Sequence, residues 1–536
     1  MTLPAFADTW YIDNGDISIS AGENGNNVTQ GSTTKENDTD TVIKSNGSST
    51  ASSNTVTIDA GEGQTVNVTL DNVNINTSKT GDAAVSVTGS GNTNIELNGN
   101  NTLTSVGWHA GLEHNKETDS EGNETSGTLT ITDTDKNGSL AATGGNYGGA
   151  GIGGGNIEDA GKLEITGGTI TATGGLDGAG IGGGGSGGDA DITISGGTIT
   201  AIGGTDPWQR PYAIGGAGIG SGGANGNSTV TITGDAVIKE AIGGNGCSGI
   251  GGGYAGECDV TISGDAVIEH AEGGVQSAGI GGGGWDTIGS AGAAGIGSGV
   301  HGDVTVTIEG NSTIDNATGG SDGAGIGGGY ASLGDVTIEG NVTIKNAQGG
   351  AGAAGIGGGS DAETKDDGTG NRIVIRSNED GSPTINATGG VPEVDDDGNV
   401  ISAGGAAIGS GASLPDKNGD VAPEADADIT IEGKVTINAT GGGDVAIGDS
   451  TNGETQFSGL QVGTTITRRN GKGDDVSQPG DVVREQAPTE TEAAEAPSTG
   501  SVEVERPVTV EGLYVTNVLG KQITHTCTQN GTTLTI

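Results

Sequence analysis

Aromatic residues make up only 2% of this 536-residue chain, so their placement is informative. Trp208 and Tyr212 flank Arg210 in the run Asp206-Pro207-Trp208-Gln209-Arg210-Pro211-Tyr212, and Tyr254, Trp285 and Tyr330 each follow a glycine-rich run. Flat rings held in the open suit the apolar face of a sugar, while neighbouring Asn, Thr and Asp supply hydrogen bonds to its hydroxyls. Trp208, Arg210, Tyr212, Tyr254, Trp285 and Tyr330 are therefore the candidate ligand-binding residues. The plainer alternative for the tyrosines is packing at a corner of the fold.

A second recurring feature is the residue in front of each V-T-I type triplet: Asp191, Asp259, Asp303, Asp335 and Asp428. Stacked on strands ~4.8 Å apart, such carboxylates repel by roughly 1 kcal/mol per pair even in water. Calcium, a hard cation that prefers oxygen, would relieve the repulsion, which makes Asp259, Asp303 and Asp335 candidate metal ligands. Aspartates that close turns through backbone amides and stay solvated are the alternative. Catalysis finds little support: Asp206 near Arg210 is the only local constellation, and no catalytic residue is assigned. The five histidines, His109, His114, His270, His301 and His525, lack metal-ligand spacing. The glycine runs also fail as ligand loops. Gly178-Ala179-Gly180-Ile181-Gly182-Gly183 has no Asp where a calcium β-roll needs one, and no helical pattern follows, as a phosphate loop requires.

These residues must be positioned by a repeat. G-A-G-I-G-G-G at Gly323 to Gly329 recurs with central isoleucines 152, 181, 219, 250, 280, 296, 326, 356, 408 and 447, giving spacings of 29, 38, 31, 30, 16, 30, 30, 52 and 39. A period near 30 marks a solenoid, in which each unit buries its apolar face only against its neighbours. One unit, Asp335 to Gly359, holds three short extended pieces with period-two alternation, around Val336-Thr337-Ile338, Val342-Thr343-Ile344 and Ile356. Three faces per unit fit a coil of a right-handed parallel β-helix better than a hairpin blade. The irregular steps locate inserted loops, which in solenoids often map to a binding face.

Glycine (114 residues) and proline (11) together form about 23% of the chain, close to the composition of disordered segments, but the fixed glycine offsets argue for order. Acidic residues outnumber basic ones 69 to 20, for a net charge of -49, which excludes nucleic acid and anionic membranes as partners. The chain has no apolar run long enough to insert in a membrane. Ala5-Phe6-Ala7 has the small-x-small form of a signal-peptidase site, so residues 1–7 read as the remnant of a longer signal peptide. Residues 8–54 read as an N-terminal cap, 55–140 as the first β-helix coils, and 141–463 as the glycine-rich solenoid. Residues 464–500 read as a flexible linker, and 501–536 as a small β module that stops in mid-pattern. Cys247 and Cys258 either pair across one turn, leaving Cys527 over, or stay as thiols.

The glycine corners, combined with strands such as Ile194-Ser195-Gly196-Gly197-Thr198-Ile199-Thr200, resemble those of glycine-rich secreted bacterial β-helix proteins, often described as carbohydrate-binding domain-containing and similar to the pectate-lyase-like superfamily. The resemblance spans roughly Thr55 to Gly448. It implies a secreted or bacterial cell-surface protein that binds polysaccharide or a host-surface glycan without catalysis. A polysaccharide lyase or glycoside hydrolase on the same fold is the alternative. A structural spacer, or an ice-binding face built on Thr169, Thr171, Thr173, Thr198 and Thr200, ranks third.

Overall fold

The structure, a computed structural model, describes residues 8–47, 49–205, 215–274, 280–281, 304–365, 367–392, 403–413, 425–449, 453–485, 506–507, 528–530 and 533–535. Among these residues the only helix is a 3-10 turn at Ile12–Asn14. Each coil gives one strand to each of three sheets. A V-T-I strand such as Ala190–Ile194 is followed by a T-I strand, Thr198–Ile202, and then by a two-residue I-G strand, Ile219–Gly220. Like strands of successive coils pair in parallel, and the three sheets reach 13, 14 and 16 strands. The protein is a parallel β-helix.

Alternation decides which side chains are buried. In Cys258–Ile262, Cys258, Val260 and Ile262 face inward while Asp259 and Thr261 face out. Stacking then aligns like with like. Ile192, Val230, Val260, Val306, Val336, Ile373 and Ile429 form one unbroken column across seven coils. Burying each such side chain contributes roughly 1.5–3 kcal/mol, so the core is a set of aliphatic columns that needs almost no aromatics. The I-G ladder runs 152, 181, 219, 250, 280, 326, 356, 408, 447. Ile280 pairs directly with Ile326, and Ile296 lies outside the described residues.

The I-G strand works because its second residue has no side chain. Gly327 sits at φ +129°, and a Cβ there would lie 2.0 Å from the Gly357 carbonyl oxygen. Where the I-G strand turns toward the next V-T-I strand, a non-glycine residue takes a positive φ in six coils of the described residues. Ile157 (61°), Ser186 (60°), Asn225 (63°), Ala255 (56°), Ala331 (53°) and Asp361 (59°) do so. Hydrogen bonds to the following coil hold the corner, from Ile157 N to Gly185 O at 2.8 Å and from Ala331 N to Ser360 O at 2.8 Å.

The N-terminal end is covered by the antiparallel strands Ile17–Ala21, Asn26–Gln30 and Thr33–Asp38, which complete the I-G sheet. At the other end the rod runs past Gly463. Thr465–Arg469 stacks on Thr436–Thr440, and Arg468 is fully buried, bonding Glu454 and Asp481 at 2.8 Å each. Composition assigns residues 464–500 to a linker; as far as Glu485 they belong instead to the rod, because the charge at Arg468 is an internal ion partner and not a solvated one. A second compact unit, Gln486–Ile536, contains the antiparallel strands Arg506–Pro507, Thr528–Asn530 and Thr533–Thr535.

Candidate functional site

The most exposed aromatic pair of the described residues lies before the I-G strands, on the turns that lead into them. Trp108 sits between Asn100–Thr104 and Leu112–His114, and Tyr147 between Ser139–Thr143 and Ile152–Gly153, one coil further on. They are 61% and 53% exposed. Their ring centroids are 5.7 Å apart with the planes tilted by 31°, so together they form a shallow apolar platform. The backbone beneath is fixed: Tyr147 N donates to Gly107 O at 2.8 Å and Asn156 N to Trp108 O at 2.6 Å. Next in the chain to Asn156 stands Ile157, 66% exposed. A β-branched residue at positive φ is strained, and this one holds an apolar side chain in solvent.

Polar groups border the platform. His109 Nδ1 lies 2.9 Å from Glu113 Oε2, which also accepts from Ala110 N at 3.0 Å. The Glu113 carboxylate raises the His109 pKa above its ordinary 6.5. His114, by contrast, is buried between the Val87 and Gly127 carbonyls, and burial lowers its pKa. Gly155 links the platform to a second feature, since its N–H donates to Asn115 Oδ1 at 2.7 Å and Lys116 N then donates to Asp159 O at 2.9 Å.

That second feature is a cavity of about 310 Å³ at the starts of the V-T-I strands, lined by the carboxylates Glu124, Asp189, Asp191, Glu257 and Asp259. Its lining cation, Lys116, pairs with Asp159 at 3.6 Å. A side-chain ladder climbs along it: Asp189 N donates to Asp159 Oδ1 at 2.9 Å, Asn227 N to Asp189 Oδ1 at 2.7 Å, and Glu257 N to Asn227 Oδ1 at 3.0 Å. Burial, aided by the nearby Asp159 charge, raises the Asp189 pKa. Ser228 also lines the cavity; it is 5% exposed and its hydroxyl has no hydrogen-bond partner. The polar segment Glu113 to Gly127 supplies Lys116 and Glu124 to this cavity.

The residues singled out from sequence fare differently. Trp208, Arg210, Tyr212, Trp285 and Asp303 lie outside the described residues. Tyr254 and Tyr330 occupy equivalent corner positions two rungs apart. Tyr254 is half-buried, while Tyr330 is 4% exposed and its hydroxyl donates to Asp361 Oδ2 at 2.8 Å, so its ring is packed in the corner. The aspartates are not stacked on adjacent rungs. Asp259 stands between Thr229 and Thr305, and Asp335 between Thr305 and Arg372, whose guanidinium lies 2.9 Å away. Carboxylates separated by two rungs, ~9.6 Å, lose the repulsion that gave calcium its reason to bridge them. Among the described residues no cluster of three or more His, Cys, Asp or Glu could hold a metal ion. The threonine ranks are short: Thr169 and Thr171 stack on Thr198 and Thr200, and the columns then pass to Val237 and Glu240. Cys247 and Cys258 are buried thiols that form no disulfide, burial pushes their pKa values up to about 12, and Cys247 Sγ donates to Gly215 O at 2.9 Å.

Sequence reading missed the Trp108–Tyr147 pair because it looked for aromatics after the glycine corner. The available signal was their similar placement before it, four residues ahead of Leu112 and five ahead of Ile152, which are register partners.

The Beta helix repeat family model matches residues 163–185, 260–284 and 306–330. No curated protein and no solved structure matches the chain. The chain therefore carries β-helix repeats similar to those of that family.

Proposed function

We propose that this protein is a secreted or cell-surface, non-catalytic polysaccharide-binding protein. The observation that carries the proposal is the Trp108–Tyr147 platform, two rings more than half exposed on a backbone hydrogen-bonded to the next coil. Such a surface offers a sugar ring an apolar face at small conformational cost, and the polar groups beside it offer partners for hydroxyls. Repetition of the coils lets neighbouring sugars of a polymer run along the rod. The inserted loop bearing Trp208, Arg210 and Tyr212 extends the same proposal.

The test is retention of the purified chain on a panel of insoluble glycans, with product analysis of the supernatant. Retention without product is expected. Trp108→Ala should weaken binding by roughly tenfold, about 1.4 kcal/mol, without lowering Tm, because the ring is mostly in solvent. New reducing ends or unsaturated uronates would replace this reading with a hydrolase or a lyase; retention on no glycan would leave a spacer.

A further inference from the structure

Resting on that reading, we propose that His109 sets the charge preference of the Trp108–Tyr147 platform. Neutral, its outer ring nitrogen accepts a sugar hydroxyl; protonated, it donates to the carboxylate of an acidic unit carried on an otherwise neutral polysaccharide. Position comes first. The carbonyls of Gly107, Trp108 and His109 accept in turn from Tyr147 N, Asn156 N and Gly145 N at 2.8, 2.6 and 2.8 Å, so one hydrogen-bonded turn carries both the indole and the imidazole. Consecutive Cα atoms are about 3.8 Å apart, which puts His109 within reach of an oligosaccharide stacked on Trp108. The second feature is the fixed state of the ring. Nδ1 lies 3.1 and 2.9 Å from Glu113 Oε1 and Oε2, and a carboxylate only accepts, so Nδ1 keeps its proton and Nε2 is the nitrogen that titrates. Nε2 has no hydrogen-bond partner among the described residues. The imidazole is 37% exposed and the Glu113 side chain 8%, so the pair turns its cationic half to solvent and keeps its anionic half beneath. The third feature is the surroundings. The preceding coil's turn brings Lys79 and Asp82, and residues 144–156 of the next coil carry no charged side chain. The hydrogen bond to Glu113, with the charges of Glu113 and Asp82 and against partial burial, raises the His109 pKa above 6.5. The net charge of -49 opposes a densely charged polymer, but at an ionic strength of about 0.15 M charges beyond about 8 Å are largely screened, so contact with His109 decides for a single carboxylate.

The experiment is calorimetric titration of the full chain with a β-1,4-linked glucose tetramer and with the same tetramer carrying one glucuronate unit, at about pH 5.5 and about pH 8, where the ligand carboxylate stays ionised. The glucuronate tetramer should bind roughly tenfold tighter than the neutral one at the lower pH and about equally at the higher. His109→Asn keeps an N–H toward Glu113 but has no outer nitrogen and no charge; it should remove the preference and leave neutral binding within about twofold. By linkage, the glucuronate tetramer should raise the titration midpoint of the His109 ring followed by NMR, and the neutral tetramer should leave it in place. A preference absent at pH 5.5, a preference that survives in His109→Asn, or a midpoint that the acidic ligand does not move overturns the proposal while polysaccharide binding stands. A loss of neutral binding in His109→Asn as large as that in Trp108→Ala also overturns it, since the histidine then holds the turn in shape. Binding of neither tetramer by a chain that is retained on a glycan overturns this proposal alone; retention on no glycan removes both.

Discussion

Ile157 combines φ 61°, a β-branched side chain and 66% exposure, which brings it neither burial nor an easy backbone. A left-handed conformation costs an L-residue roughly 1–2 kcal/mol, and glycine avoids the cost. Ile157→Gly is therefore expected to leave stability unchanged or higher in thermal unfolding, yet to weaken glycan binding; a stability loss with unchanged binding would make Ile157 a packing residue. The two neighbouring histidines give opposite pH signatures. Burial lowers the His114 pKa below 6.5, so the unfolded chain binds more protons in that window, and stability present above pH 6.5 falls as pH drops through the folded value. Glu113 raises the His109 pKa, so that contribution is full below pH 6.5 and fades as pH rises through the folded value. Denaturant unfolding of Glu113→Gln should accordingly show a larger deficit relative to wild type at about pH 5 than at about pH 8. Neither histidine role was visible in spacing, because each depends on a carbonyl or carboxylate delivered by the fold.

At the scale of the strand, the glycines and isoleucines of each corner do opposite jobs. Gly327→Ala would place a methyl group 2.0 Å from the Gly357 oxygen at φ +129°, so the rung must open, with an expected loss of at least 1–3 kcal/mol, roughly the cost of a residue forced into a sparsely allowed backbone region. Ile326→Ala, at a fully buried site, should cost about 2–5 kcal/mol, whereas Thr337→Ala on the outward face of its strand should stay within about 0.5 kcal/mol. Chemical denaturation of the three variants checks the ranking; a Thr337 loss as large as that at Ile326 would contradict it. This layer of the structure was the most legible from sequence. Isoleucines at a near-constant spacing and V-T-I alternation specify a coil because neighbouring coils see the same pattern. Register was not legible. The aspartates before the triplets look like a stack in the sequence, but Thr229 and Thr305 fall between them once the strands are aligned. The aromatic platform was equally hidden, since Trp108 and Tyr147 are 39 residues apart and meet only because their coils are adjacent.

For the molecule as a whole, each coil is held mainly by its neighbours, so the ends need special treatment. Arg468 closes the C-terminal end, fully buried against Glu454 and Asp481 with Phe457 beneath its guanidinium at 5.2 Å. Arg468→Ala would leave two carboxylates without their cation, a change that costs about 3–5 kcal/mol in buried pairs. Hydrogen exchange should show the loss first in the strands at Thr436–Thr440 and Thr465–Arg469, not uniformly; uniform loss would mean that the rod unfolds as one cooperative body. A net charge of -49 keeps such rods apart in solution. The corner positions that hold Ile157, Ser186, Asn225, Ala255, Ala331 and Asp361 have a wider consequence. Five residue types already occupy one backbone address whose geometry is set by hydrogen bonds from the adjoining coil, so the side chain there can be rewritten without redrawing the frame. The edge of the rod is in effect a ruled tape with a mark about every 4.8 Å, on which a lineage, or an engineer, can print a ligand-specific pattern one character per coil.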